Sequence, residues 1–452
     1  MGAYELIKGE ENGVYDAKSG YRKMEEEGLT RKQDLESGTT MNDVQPRDAL
    51  VTKGDSTGRR LVSLDVFRGI TVALMILVDH AGGIFPAINH SPWNGVTLAD
   101  FVMPFFLFIV GVSLGLTYKR LSNNALATKK AVVRAVKLLA LGLILQGGYI
   151  HRVFDLSYGV DIAHIRWMGI LQRIAIAYLV AAICEIWLKD NQDVISGFSL
   201  LKKYRLQWLL ALMISIIYVV LLYGLYVPDW EFQILIDGAS PTMKTYSVKC
   251  GVRGDTGPAC NAVGMIDRTI LGINHLYTRP IYKRSKECSM LSPDYGPLPP
   301  NAPSWCQAPF DPEGLLSSVM AIVTCIIGLH FGHVLVHFKD HKERILQWMM
   351  PSLFFVLVGF SMDLSGMYLN KALYSFSYMC VTAGVAGIAF TGVYVMVDVY
   401  SYRRSTKLAE WMGVNALTIY ILVACNVVPI VLQGFYWKSP ENNIFKLVGL
   451  RS

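Results

Sequence analysis

The feature that most constrains this chain is a series of apolar runs of membrane-spanning length that recur between residues 66 and 434. A hydrocarbon core about 30 Å thick needs about 20 helical residues to cross it, and a helix satisfies every backbone group there. Candidate spans fall at about 66–85, 98–118, 132–150, 167–188, 206–227, 315–336, 345–362, 373–397 and 411–434. The expected fold is therefore an all-α polytopic membrane protein, a bundle of about nine transmembrane helices. With 52% hydrophobic and 17% charged residues in 452, the composition agrees.

The net charge of +7 raises a nucleic-acid partner, but the cations sit beside apolar runs, as membrane topology requires. Lys119, Arg120, Lys129, Lys130 and Arg134 follow the second run, and Lys189, Lys202, Lys203 and Arg205 the fourth. Lys339, Lys342 and Arg344 follow the sixth, and Arg403, Arg404 and Lys407 the eighth. The alternate short connections hold Arg152, Arg166 and Lys371 and little else, so the positive-inside rule puts the N-terminus in the cytosol. The expected partner is the lipid bilayer, with no nucleic acid.

Residues 1–60 combine Lys, Glu, Asp, Gly and Ser with few aromatics and read as a disordered cytosolic tail without a signal peptide. Residues 61–438 form the transmembrane domain, and 439–452 a short C-terminal tail. Within the domain, 228–313 is one long extracytosolic loop, rich in Gly and Pro and expected to be irregular, with one short helix near Ile266, Ile270 and Leu271. Of eight cysteines, Cys250, Cys260, Cys288 and Cys306 fall in this loop. An even number there suggests two disulfides, with all three pairings open. Cys184, Cys325, Cys380 and Cys425 lie in apolar runs as small buried residues, and no metal site is expected.

The connection between the first two runs gathers Asp79, His80, Asn89, His90, Trp93, Asn94 and Asp100 and contains no Lys or Arg. An ionisable group at a bilayer edge is costly unless it is used, so this connection reads as a reaction centre. Asp79 ends one helix and Asp100 begins the next. Either carboxylate can hold one imidazole nitrogen of His90 and leave the other as a base, although Asp100 can equally cap its helix. At the opposite edge, Asp65 and Arg68 stand at i and i+3 and can pair. Arg173 lies inside a span and needs a partner or a ligand. Gly111 with Gly115, and Gly328 with Gly332, have the spacing of close helix packing.

Two strings in this chain resemble a known family. Asp65, Phe67, Arg68 and Gly69, followed by the run from His90 to Asp100 (HSPWNGVTLAD), are similar to the transmembrane acetyltransferases of the heparan-alpha-glucosaminide N-acetyltransferase type, as is Arg166 to Arg173 (RWMGILQR). The resemblance covers roughly residues 60–438. It implies transfer of an acetyl group from cytosolic acetyl-CoA to an amino sugar or glycan acceptor on the lumenal side. His90 would act as base or acetyl carrier, with Asp79, Asp100 and Asn94 around it. Arg68, Arg134, Lys137 and Arg173 would hold the donor. The implied location is lysosomal, vacuolar or another endomembrane, or the plasma membrane, with a homodimer allowed for. It also implies a further span near the C-terminus, which 439–452 is too short to supply, so an inactive truncated member is one alternative. The other is a transporter using Asp79, Asp100 and Arg173 as a relay, although no internal repeat is visible.

Overall fold

The structure, a computed structural model, describes residues 61–82, 87–119, 123–146, 162, 164–190, 193–236 and 242–425. The expected tail 1–60 and the end of the last span lie outside these residues. The helices are α1 (Val62–Ala81), α2 (Val102–Thr117, entered through a 3-10 turn at Leu98–Phe101), α3 (Asn124–Gln146), α4 (Ile170–Trp187), α5 (Gly197–Lys203) and α6 (Arg205–Gly224). After the long loop come α8 (Leu315–His337), α9 (His341–Leu364), α10 (Phe376–Tyr394), α11 (Arg403–Val414) and α12 (Ala416–Ala424), with α7 (Ala262–Leu271) inside the loop.

Each expected span contains a helix, and fewer than nine of the described helices are long and apolar enough by themselves to cross a membrane. Six described helices qualify, with the bent pair α11–α12, at 65° to one another, as an allowable seventh. α1 and α3 are long enough. They fall short on charge, through Asp65, Arg68 and Asp79 in the first and Lys129, Lys130, Arg134 and Lys137 in the second.

α8 is the centre of the bundle: it is apolar on every face and 89% buried over its best window, against 17% for α9, which turns most of its surface outward. α2 reaches α8 through the four glycines at helical spacing. A Cβ on Gly111 would overlap the carbonyl oxygen of Cys325, and one on Gly328 that of Phe108. One on Gly115 would stand 3.0 Å from the Gly332 Cα. The two main chains touch, which is the packing that G-x-x-x-G spacing permits. Gly69 and Gly413 serve the crossing of α1 and α11 in the same way.

The long loop is not irregular, and the chain is not purely helical. β1 (Tyr226–Val227) pairs antiparallel with β4 (Val252–Arg253), and β2 (Trp230–Ile236) with β3 (Thr242–Val248). Trp230, Phe232 and Ile234 alternate along β2, the period of a half-buried strand, and Phe232 stacks on Tyr246 across the pair at 5.5 Å. α7 forms where the short helix was expected, its start held by the Asn261 side chain accepting from the Gly264 N–H at 2.7 Å. Two disulfides close the loop on itself, Cys250–Cys260 and Cys288–Cys306, and resolve the pairing. This cap packs over the His90 connection: Trp93 lies 5.9 Å from the Tyr282 ring and 5.4 Å from Phe310, and its Nε1 donates to the Thr256 carbonyl at 3.0 Å.

Candidate active site

Asp100 organises the site. It is fully buried in the turn that starts α2, three residues after Thr97, so its carboxylate reaches back over the connection rather than capping from the first position. Its Oδ2 accepts from the backbone N–H groups of Ser91 at 3.1 Å and Thr97 at 3.0 Å, and from the Thr97 hydroxyl at 3.0 Å. Oδ1 lies 2.8 Å from Nδ1 of His90. One carboxylate thus folds the connection and orients the imidazole, the arrangement that fixes a tautomer and leaves Nε2 for chemistry. The His90 side chain is 31% exposed, so it is held and still reachable.

The His90 connection has no lysine of its own, but one reaches it from another loop. Lys371, on the connection between α9 and α10, places Nζ 2.8 Å from Nδ1 of His90, 3.2 Å from Nε2 and 3.5 Å from Asp100 Oδ1. Its loop is pinned to the His90 loop at Asn94 and Asn370, which form a backbone bridge, and by the Gly95 N–H donating to the Leu369 carbonyl at 2.8 Å. Tyr374, buried and at φ 53°, turns the chain sharply just after Lys371. A bulky residue in that region persists only where its surroundings enforce it. The one hint in the sequence was that Lys371 is a lone cation in a connection otherwise poor in them. Its distance of 281 residues from His90 hid the contact.

Burial lowers the pKa of His90 first and the charge of Lys371 lowers it further, with a smaller push from Arg284, while the bond and charge of Asp100 work the other way. Lys371 is itself lowered by burial and raised by Asp100 and Glu313. Arg284 comes from the cap and is almost fully buried. Its Nε donates to the Pro293 carbonyl at 2.7 Å, and its Nη2 has no hydrogen-bond partner among the described residues.

The other expected site residues are placed as follows. Asp79 stands on an exposed face of the last turn of α1, and Asp100 and Lys371 reach the His90 ring among the described residues. Asn94 is exposed and its Oδ1 accepts from Asn370 at 3.2 Å. Arg68 makes the ion pair with Asp65 at 2.9 Å and donates to Ser113 at 3.2 Å. Arg134 and Lys137 point outward from α3, with the Arg134 guanidinium 5.1 Å from the Tyr178 ring. Arg173 has found internal partners: the Pro312 carbonyl at 2.8 Å, Ser317 at 2.5 Å and Ser318 at 3.2 Å, with Tyr374 beneath it. Arg166 clasps Asp311 in a bidentate pair, at 2.8 and 2.6 Å, and also meets Glu313. The hydrogen-bond partners of Arg173 among the described residues are thus distinct from those of Asp100.

Fold and site together define a multi-helix chain of membrane-spanning composition with an imidazole, a carboxylate and an ammonium converging under a disulfide-closed cap. The family model of the heparan-alpha-glucosaminide N-acetyltransferase catalytic region matches residues 60–228, which include His90, Asp100 and Arg173. The heparan-alpha-glucosaminide N-acetyltransferase of Mus musculus is 29% identical over 412 residues, covering 86% of this chain and 57% of the relative. That of Homo sapiens is 27% identical over 409 residues, covering 86% and 56%. The chain spans a little over half the length of these curated relatives, and the comparisons point to the same family that its motifs resemble.

Proposed function

We propose that the protein is a membrane acetyltransferase that moves an acetyl group from cytosolic acetyl-CoA to the amino group of a glucosamine-bearing glycan on the far side of the bilayer, with His90 at the point of transfer. The observation that carries this is the His90–Asp100 contact at 2.8 Å, with a reachable imidazole on a buried carboxylate. The attacking amine forms a C–N bond with the thioester carbonyl, and the C–S bond breaks. The amine's proton goes to Nε2 of His90 and then to the departing thiolate, so the imidazole is restored. A path in which His90 first carries the acetyl group balances equally well. Asn94, exposed on the same connection four residues after His90, is suited to donate to the oxyanion.

In this reading all nine long helical segments cross the membrane, the N-terminus is cytosolic and the cap is lumenal, in a lysosomal or related endomembrane. Arg134 and Lys137, one turn apart and exposed on α3, suit an anionic nucleotide, with Arg68 close to the same edge. The test is transfer of label from acetyl-CoA by the purified full chain to a panel of amino sugars and glycans. Label on glucosamine-terminated acceptors supports the reading. Donor binding without transfer to any amine overturns it.

A further inference from the structure

His90 has two polar partners with opposite demands. Nδ1 can donate a hydrogen to Asp100 or accept one from Lys371, yet both lie 2.8 Å away. Asp100, as a carboxylate, only accepts, and an ammonium only donates. The assignment that satisfies all three groups has Nδ1–H donating to Asp100, while the ammonium turns to Asp100 Oδ1 at 3.5 Å and to the Nε2 lone pair at 3.2 Å. One buried carboxylate then stands between two bases. It compensates one positive charge, and a second proton on the ring would set imidazolium against ammonium at contact distance.

We propose that Lys371 is a positioning residue that keeps His90 unprotonated, extending the working range of the site to mildly acidic pH. This rests on the assignment of His90 as the group at which transfer occurs. The charged groups facing the ring come from three elements: Asp100 from the turn before α2, Lys371 from the connection before α10, and Arg284 from the cap. Only Asp100 favours the imidazolium. Glu313, itself held by Arg166, faces Lys371 and supports its ammonium, against the weaker opposition of Arg173. The turn that presents Lys371 is built for the purpose: the Asn370 side chain accepts from the Leu373 N–H at 2.8 Å and donates to Asn94, and Tyr374 takes its left-handed conformation directly after. Without the lysine the ring loses that opposing charge, so more of it is protonated in an acidic compartment and unable to accept a proton.

The full-length protein is assayed from pH 4.5 to 8 as wild type, Lys371→Met and Lys371→Arg, with diethyl pyrocarbonate modification of His90, followed by peptide mass, as a second readout that needs no turnover. The reagent attacks only the unprotonated imidazole. Lys371→Met is expected to move the acid limb of kcat/KM and the midpoint of His90 modification upward together by about one pH unit, while Lys371→Arg leaves both near the wild-type positions. An unmoved midpoint in Lys371→Met, or an equal shift in both variants, overturns the proposal. So does a wild-type midpoint at or above the ordinary histidine value, a measurement available even where Lys371→Met does not fold. A midpoint that shifts while the acid limb stays put would instead remove His90 from the reaction and leave its electrostatic coupling to Lys371 standing.

Discussion

Asn370 Nδ2 donates to Asn94 Oδ1 at 3.2 Å, tying the loop that carries Lys371 to the loop that carries His90. Asn370 is almost fully buried and also receives the Leu373 N–H, so one amide sets both the shape of its own turn and the alignment of the two loops. Asn370→Ala is expected to lower turnover about tenfold or more while costing about 1 to 3 kcal/mol of stability, since it leaves buried partners unpaired. Steady-state rates read beside thermal unfolding of the same preparations check it.

His90→Ala and Asp100→Asn should each reduce transfer by about 100 to 10,000-fold, the range for loss of a general base or of the group that orients it. Donor binding should persist in His90→Ala. A rapid-mixing assay with labelled acetyl-CoA separates binding from turnover, and near-normal transfer by His90→Ala would end the assignment.

Asp267, in α7 at the edge of the cap, is fully buried, and its carboxyl is pushed up to about 7 chiefly by burial, with Asp311 adding to the shift. A folded-state pKa above the unfolded value of an acid means that the folded protein binds the extra proton. Stability should therefore fall as pH rises from about 4 to about 7. Asp267→Asn keeps an oxygen for the Leu315 N–H, which Oδ1 accepts at 2.8 Å. That variant is expected to flatten the decline in thermal unfolding temperature across this window, and an unchanged slope would contradict the account.

Gly328→Ala places a methyl against the Phe108 carbonyl and should cost about 1 to 3 kcal/mol through forced separation of α2 and α8. Gly392→Ala meets nothing within 4 Å inside α10 and should be neutral or stabilising by up to about 1 kcal/mol. Comparing the thermal stabilities of the two variants isolates the contact from the residue type.

Non-reducing peptide mapping should recover Cys250 joined to Cys260 and Cys288 to Cys306, with Cys184, Cys325, Cys380 and Cys425 as thiols. Cys288 and Cys306 are buried and Cys250 and Cys260 half-buried. Replacing the first pair by serine should therefore destabilise more than replacing the second, each within the 2 to 5 kcal/mol usual for a native bridge.

The helical bundle was legible because apolar runs and cation clusters are one-dimensional signals, and the glycine spacing in α2 and α8 marked each as a close-packing helix without saying which helix it meets. Asp100 beside His90 was legible for the same reason, being ten residues away on one connection. Lys371 was not, since it enters from another loop and only tertiary folding brings it in. The strands of the cap were missed because Gly and Pro outweighed a short alternation, Trp230, Phe232 and Ile234, that the paired β2 and β3 make plain.

The main-chain contact between α2 and α8 has a consequence for motion. A slip of one residue along that seam would drive a side chain into a carbonyl wherever a glycine now sits, so the two helices behave as a keel. Tyr378 of α10 is moored to it through the Asp100 carbonyl, at 2.5 Å. In the proposed reaction the reactants therefore travel to a stationary imidazole, and movement is left to the outer planking, α6 and α9, whose surfaces are mostly exposed.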